Sequence, residues 1–381
     1  MCPEELVLRL EQVMSRHHPE HLGLVGTASA LLRLDAEYLL RSLVHEIWAR
    51  HATLNISGDA IDSLVSDFEG FVDATQIRVR YLAPIVNLRV EPVVEEIPLS
   101  SSVKIKRLTD ADVTELYGGR ADAFGFLHRP ERSGFPEYAF VGAFDEPKRF
   151  ESDGEASSQH YEQVRAVLRR AVLALRSFKS GPVGSYEFHM RSVGFCPFPL
   201  GARIHYHEQI PLGRYTLGAN EVCSLRTHAQ YITARLHPAL DLAISRLADA
   251  AIRVSPRDKL LDAVIGLEAV LLPQHQRQEL RYRFAMNYAS LADTSGERFD
   301  RFGTAKDIYD CRSKLAHGGH LREHEPLVVG GRKLTLSQAA ETACDMLREA
   351  VKQFIPQGDR PAFCGEDYWE HKLFGLKHPQ Q

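Results

Sequence analysis

The sequence lacks the features that define several classes of protein. None of its six cysteines forms a Cys-x-x-Cys pair, so neither a zinc ribbon nor a disulfide framework is indicated. No stretch approaches the roughly 20 apolar residues that cross a bilayer. The first residues, MCPEELVLRLEQVMSRHH, contain no signal-peptide core. We therefore predict a soluble, cytoplasmic protein without membrane contact.

Basic residues are not in excess either. The formal net charge is −4, so any nucleic acid would have to be held by a local basic patch. Neither a P-loop nor a dinucleotide-binding glycine pattern is present, and no cofactor is expected. His205 and His207 fall on one side of a predicted strand. Because no third ligand can be assigned, we predict no metal site.

Residues 1–217 contain a mixture of helix and strand patterns. Amphipathic runs predict helices over 36–51 and 157–178. Segments rich in β-branched and aromatic residues predict strands over 75–90, 138–144, 184–193 and 202–210. These patterns indicate an α+β N-terminal domain.

From residue 218 onward, helical periodicity replaces the strand patterns. Ser255 and Pro256 predict the start of one helix, and Thr335 with Gln338 predicts a capping box at the start of another. The predicted architecture is an all-α antiparallel helical bundle over 218–356. A C-terminal tail, 357–381, follows, and its aromatic residues predict that it packs against another part of the protein.

One charged residue, Arg312, lies on the predicted apolar stripe of a bundle helix. A buried guanidinium requires a partner, because desolvating it alone costs several kcal/mol or more. Glu268, on the apolar side of an earlier helix, is a candidate for that partner. The stripe consists of Phe302, Ala305, Tyr309 and Ala316.

His317 ends the same helix, because Gly318 and Gly319 supply a left-handed stop. Carbonyl groups at a helix end favour a protonated imidazole, and histidine can both accept and donate protons near neutral pH. Arg312 offers a fork of donors that suits a phosphate. The two side chains diverge by about 140° on a helix. They converge on one phosphate only if the helix frays or a second copy contributes, so we predict a homodimer.

The spacing of this pair is not specific by itself, because Arg16 and His21 match it as well. That second match contains Pro19 and has no helical stripe around it. A purely structural interpretation also exists. In it, Arg312 pairs with Glu268 inside the bundle, and His317 interacts only with the helix dipole.

The helical half resembles a HEPN domain, and it is most similar to the ApeA-like group found in bacterial anti-phage abortive-infection proteins. Three blocks carry the resemblance: LLDAVIGLEAVLL (260–272), RYRFAMNYASLA (281–292) and IYDCRSKLAHGG (308–319). The last is the most specific, with arginine, a polar residue, three further positions, then histidine and glycine. Coverage is about residues 218–356. The segment 101–119 is more loosely similar to the companion domain of such proteins.

The resemblance implies a metal-independent endoribonuclease, a toxin-like effector of phage defence that acts as a dimer. Arg312 and His317 would be the catalytic pair, Ser313 the variable polar position, and Glu268 a residue that orients Arg312. The substrate would be RNA, with tRNA among the candidates. A sensory N-terminal domain would respond to a phage-derived trigger or a neighbour-encoded regulator. The same resemblance also allows a non-catalytic HEPN module that binds RNA or a partner protein.

A slight excess of basic residues favours the helical bundle as the part that binds RNA. Residues 218–356 contain 19 Lys and Arg against 17 Asp and Glu, a surplus of two that favours this half for RNA binding. A solvated helix face is the alternative interpretation. A third functional hypothesis is a metal-dependent hydrolase built on His205 and His207. The RNA-binding candidates are Arg281, Arg283, Lys306, Lys314 and Arg322.

Overall fold

The computed structural model of the protein combines antiparallel β-sheet with many helices. The residues that the structure describes are 3–17, 23–27, 30–51, 57–113, 116, 136–150, 159–196, 202–205, 208–272, 278–318, 326–359, 361–365 and 367–374. Among the helices in these ranges, none is both long enough and apolar enough to cross a membrane.

The first part of the chain contains both helices and strands, and two of its four helices lie where the sequence patterns predict them. The helices are α1 (Pro3–His17), α2 (Ala36–His51), α3 (Gly58–Asp73) and α4 (Gln159–Phe178). The strands are β1 (Gly23–Thr27), β2 (Ala30–Leu34), β3 (Gln76–Ile85), β4 (Leu88–Glu91), β5 (Glu96–Pro98), β6 (Lys104–Arg107), β7 (Tyr138–Pro147), β8 (Arg149–Phe150), β9 (Glu187–Ser192), β10 (Ala202–His205) and β11 (Tyr215–Gly218).

A six-stranded antiparallel sheet in the order β10-β9-β3-β7-β6-β5 forms the centre of this part. Strands β3 and β7 are the longest of the six, and their pairing runs from Gln76 opposite Pro147 to Ile85 opposite Tyr138. The predicted strand over 75–90 is divided in two at Asn87, which has a φ of +67°. Asparagine tolerates this left-handed conformation better than most residues, so the chain turns there into β4.

The second part is mainly helical. Its helices are α5 (Val222–Thr233), α6 (Pro238–Ile252), α7 (Pro256–Leu271), α8 (Leu280–Ala289), α9 (Ser295–Ala316), α10 (Leu336–Phe354) and α11 (Tyr368–Leu373). Two predicted starts are confirmed. The Ser255 hydroxyl accepts the Asp258 N–H ahead of α7, and Thr335 and Gln338 form a reciprocal capping box ahead of α10.

Close packing of α7 fixes the arrangement of these helices. Helix α6 packs on α7 after a connection of residues 253–255, and helix α8 packs on α9 in the same way. Such short connections make each pair antiparallel. Helix α10 covers α7, and a Cβ added at Gly266 would lie 2.6 Å from a methyl group of Leu347. Glycine at this position leaves room for the Leu347 side chain between the two helices.

Two predictions for the helical part need correction. The first is that strands end at residue 218, whereas β12 (Leu327–Val329) and β13 (Arg332–Leu334) form a hairpin. Its turn contains Gly330 and Gly331, both with positive φ, which is the geometry that a two-residue hairpin turn requires. The strands are only three residues long, so they leave no alternating pattern to detect.

The second correction concerns the stripe of α9. The buried positions are Ala305, Ile308 and Cys311; Ala305 belongs to the predicted stripe, whereas Ile308 and Cys311 lie to one side of it. Phe302 and Tyr309 are partly buried and pack against the core, whereas Ala316 is exposed. Ala316 lies in the last turn of the helix, where no described neighbouring helix covers it.

One core extends across the boundary predicted at residue 218. Helix α4 packs on both α5 and α6. The Ser177 hydroxyl lies 2.8 Å from Nε2 of His228, and both residues are buried. Lys179 also forms an ion pair with Glu221 at 2.8 Å. Residues 1–217 and 218–356 therefore differ in their secondary structure but share one continuous apolar interior.

The C-terminal tail packs on the helical part, as its aromatic residues predict. Phe363, Tyr368 and Trp369 are buried, and their rings contact the ring of Phe354 at the end of α10. Phe374 is the exception, being 74% exposed.

Burial of His228 predicts a loss of stability in acid. Burial lowers the pKa of His228 to about 4, below the ordinary value of about 6.5. Between these two pH values the unfolded chain binds a proton that the folded chain does not, so the free energy of unfolding decreases as the pH falls. We expect the pH profile of urea unfolding to flatten in His228→Gln between pH 6.5 and 4. An unchanged profile would contradict this assignment.

Candidate functional site

The guanidinium of Arg312 is held between α9 and α7. Its Nη2 donates to Oε2 of Glu268 at 3.0 Å, and the two side chains are 27% and 21% exposed. The partner predicted for Arg312 is therefore the residue that it contacts. Its Nε–H is buried and has no acceptor within the described residues, although arginine offers five N–H donors. Part of the donor fork is thus not used by Glu268.

Burial dominates the electrostatics of Glu268. Desolvation raises the pKa of its carboxyl, and the opposing attraction of Arg312 reduces this rise without cancelling it. An exposed ion pair would show the opposite balance, with a lowered carboxyl pKa. The pair therefore lies in a partly dry environment, where a second anion placed near Arg312 would be attracted more strongly than in water.

An aromatic residue forms one wall beside the ion pair. The guanidinium carbon of Arg312 lies 5.9 Å from the ring centre of Tyr309, one turn earlier on α9. The Tyr309 ring in turn packs against Phe284 of α8 at 5.1 Å between ring centres. Burial and the nearby Glu268 raise the pKa of the Tyr309 phenol, which keeps it neutral. Arg312 is therefore positioned by Glu268 of α7 and by Tyr309, which is itself held by α8.

His317 lies at the exposed end of α9. It is the C-cap residue, and its backbone N–H donates to the Ser313 carbonyl at 3.1 Å. Gly318 follows with a φ of +75°, which is the predicted left-handed stop, while Gly319 lies outside the described residues. The imidazole is exposed, and Ser313 itself is half-buried. A side chain in this position can reach solvent and any ligand at the helix tip.

Arg312 and His317 do not converge within one protomer. Helix α9 is continuous to Ala316, so five residues separate the two side chains by about 140° around the axis and roughly 7.5 Å along it. The last helical residue is Ala316, and His317 has a non-helical backbone with φ of −92° and ψ of 18°. Of the two predicted ways of bringing the pair together, a second copy of the chain leaves helix α9 unchanged.

The basic residues predicted to bind RNA occupy different surroundings. Arg281 forms an ion pair with Asp310, Arg283 is half-buried with a buried Nε–H that has no described acceptor, and Lys314 is exposed in the last turn of α9. Lys306 and Arg281 line one groove. Arg322 lies outside the described residues. Two members of the predicted patch, Arg281 and Lys306, therefore share one groove.

The sequence analysis did not single out Tyr282, which lies in the same groove. Its side chain is 56% exposed, and its ring meets that of Phe302 edge to face at 5.7 Å. The signal that could have identified it is an aromatic residue between two arginines, Arg281 and Arg283, in the block RYR.

Of the two histidines in the hydrolase hypothesis, the structure describes His205. His205 lies on β10, with Nδ1 3.3 Å from Oε2 of the buried Glu187, and His207 lies outside the described residues. In the described ranges, no group of three or more His, Cys, Asp or Glu side chains is arranged to hold a metal ion.

No protein-family model, no curated protein and no solved structure matches the chain. The chemistry of Arg312 and His317 is therefore interpreted from their own surroundings.

The raised pKa of Glu268 predicts a pH-dependent difference between the wild type and Glu268→Gln. The glutamine resembles the protonated carboxyl at every pH. Because the folded pKa lies above the unfolded value, the wild type loses stability as the pH rises through these two values. We expect Glu268→Gln to gain stability relative to the wild type from about pH 4 towards neutrality, measured by urea unfolding. If Glu268→Gln instead loses stability relative to the wild type as the pH rises, attraction to Arg312 outweighs burial.

Proposed function

We propose that this protein is a metal-independent endoribonuclease of the HEPN class that acts as a homodimer. The observation that carries the proposal is the partly buried Arg312, which is oriented by Glu268 and retains unused donors, on the helix that ends at the exposed His317. Arginine and histidine at a helix tip supply phosphate recognition and proton transfer. The motif resemblance over 308–319 supports the same reaction class.

The proposed reaction is attack by a ribose 2′-oxygen on its own phosphodiester. A new bond forms between the 2′-oxygen and phosphorus, and the bond from phosphorus to the 5′-oxygen breaks. His317 accepts the proton of the 2′-hydroxyl, and a proton is returned to the leaving 5′-oxygen. Arg312 stabilises the charge that develops on the phosphate oxygens. The products are a 2′,3′-cyclic phosphate and a 5′-hydroxyl.

The proposed active site contains residues of two protomers. Because α9 separates Arg312 from His317 by about 140°, a two-fold axis near the helix tips would bring Arg312 of one copy towards the imidazole of the other. The axis would generate two equivalent sites, each with Arg312 of one copy and His317 of the other. Glu268 keeps Arg312 in place without transferring protons itself.

The biological setting that we propose is phage defence in the cytoplasm. The ApeA-like resemblance supports a toxin-like effector, with RNA such as tRNA as substrate. The continuous core between α4 and helices α5 and α6 supports a regulatory role for the N-terminal part, since a change there would be felt by the bundle. A phage-derived trigger or a neighbour-encoded regulator would act through this contact.

One observation favours a second candidate, a non-catalytic HEPN module that binds RNA or a partner protein. Arg312 already has a carboxylate partner in Glu268, so its charge is satisfied without a phosphate. In this alternative His317 is a helix-end residue and the bundle serves only for recognition.

Cleavage of RNA separates the two candidates. We expect the wild type to cut a mixture of structured RNAs that includes tRNA in the presence of a chelator, leaving cyclic phosphate ends. Arg312→Ala and His317→Ala should each reduce the rate by about 100-fold or more, since each removes one catalytic contribution. Gel analysis with end-group mapping measures both results.

The matched control is the second pair with the same spacing, Arg16 and His21. Arg16→Ala and His21→Ala should leave cleavage unchanged. Cleavage that is unaffected by Arg312→Ala and His317→Ala would sink the ribonuclease proposal, and loss of cleavage with chelator would favour the metal-dependent alternative.

Mixing the two inactive variants tests the shared site. When Arg312→Ala and His317→Ala are unfolded and refolded together, about half of the dimers are mixed, and each mixed dimer has one of two sites intact. We expect recovery of about one quarter of the wild-type rate. No recovery, with mixed dimers shown by mass spectrometry, would place both residues of each site in one protomer.

A further inference from the structure

A groove lies between the start of α8 and the middle of α9. It has a volume of about 480 Å³ and is lined by Glu279, Leu280, Arg281, Tyr282 and Lys306. Two contacts hold its walls together. Arg281 pairs with Asp310, and the Tyr282 ring meets the Phe302 ring edge to face. Tyr282 nevertheless keeps more than half of its surface exposed.

The groove is aligned with His317 along α9. Lys306 and His317 are eleven residues apart, which is three turns plus about 20°, and about 16 Å along the helix axis. Asp310 and Ser313 lie between them on the same side, at helical spacings of four, three and four residues. A linear ligand that lies in the groove and continues along this side of α9 therefore reaches the tip where His317 is exposed.

Charge in the groove is nearly balanced. Asp310 neutralises Arg281, Glu279 adds one negative charge, and Lys306 has no ion-pair partner among the residues described. One free cation does not supply the phosphate contacts on which binding to a duplex backbone depends. The exposed aromatic ring is the other feature able to supply affinity, because bases stack on aromatic side chains.

We infer that this α8–α9 groove binds an unpaired segment of RNA, with one base stacked on Tyr282 and a neighbouring phosphate at Lys306. A base within a duplex is already stacked on its neighbours and cannot reach the ring, whereas a splayed base in a loop or single strand can. The inference rests on the proposed ribonuclease function and specifies its substrate class. The strand is cut where it reaches the helix tip.

Binding of a short fluorescent single-stranded RNA, measured by anisotropy, tests the groove. The full chain carries His317→Ala in every sample, so that binding is measured without cleavage. We expect Tyr282→Ala to weaken binding by roughly 5- to 150-fold, and Tyr282→Phe, which keeps the ring, to retain it. The same RNA in a duplex should bind more weakly than the single strand. Phe374→Ala removes an exposed aromatic ring outside the groove and should change nothing.

The salt dependence of RNA affinity distinguishes the contribution of the Tyr282 ring from that of Lys306. Lys306→Ala should reduce the slope of log affinity against log salt concentration by about 0.7, the value for one phosphate contact with a single strand. Tyr282→Ala should leave the slope unchanged, since stacking releases no counterions. Equal binding by Tyr282→Ala and its parent, or equal binding of single strand and duplex, overturns the inference.

The two proposals fail separately. If cleavage depends on Arg312 and His317 but binding does not depend on Tyr282, the groove inference is wrong and the ribonuclease proposal stands. If single-strand binding depends on Tyr282 but the chain with His317 intact cleaves no RNA, the groove inference stands and the protein is the non-catalytic binding module.

Discussion

Helix α7 packs against α10 through Gly266, where an added Cβ would lie 2.6 Å from a methyl group of Leu347 and 3.2 Å from the Cβ of Arg246. Two residues further, about 200° around the helix, Glu268 faces α9 and holds Arg312 at 3.0 Å. The candidate site therefore depends on one helix that packs in the core on one side and presents the carboxylate on the other.

The pairing of Arg312 with Glu268 also limits what the site can bind. The carboxyl is held in a place where burial opposes its charge, so a phosphate bound as proposed would share the guanidinium with a carboxylate that is poorly solvated. Sharing is feasible because the guanidinium is a fork with several donors, whereas a lysine would present a single charged point. The geometry of this site therefore suits an arginine at position 312 better than a lysine.

Sequence patterns predict those parts of this protein that depend on neighbouring residues in the chain. The start of α7 at Ser255, the capping box at Thr335 and the stop at Gly318 all follow from local hydrogen bonding and backbone preference. The stripe of α9 does not, because burial at Ile308 and Cys311 is decided by which helices pack against it. Likewise, Glu268 was recognisable as an intruding carboxylate, but the α8–α9 groove beside Tyr282 is formed only when α8 and α9 meet.

The contact between Ser177 and His228 joins α4 to α5 inside one apolar interior, and this has a practical consequence for dissecting the chain. A fragment that begins at residue 218 would leave the faces of α5 and α6 that meet α4 in water. Such a fragment would be prone to aggregate. An isolated bundle for biophysical work therefore has to include α4, whether as a fused segment or as a peptide supplied separately.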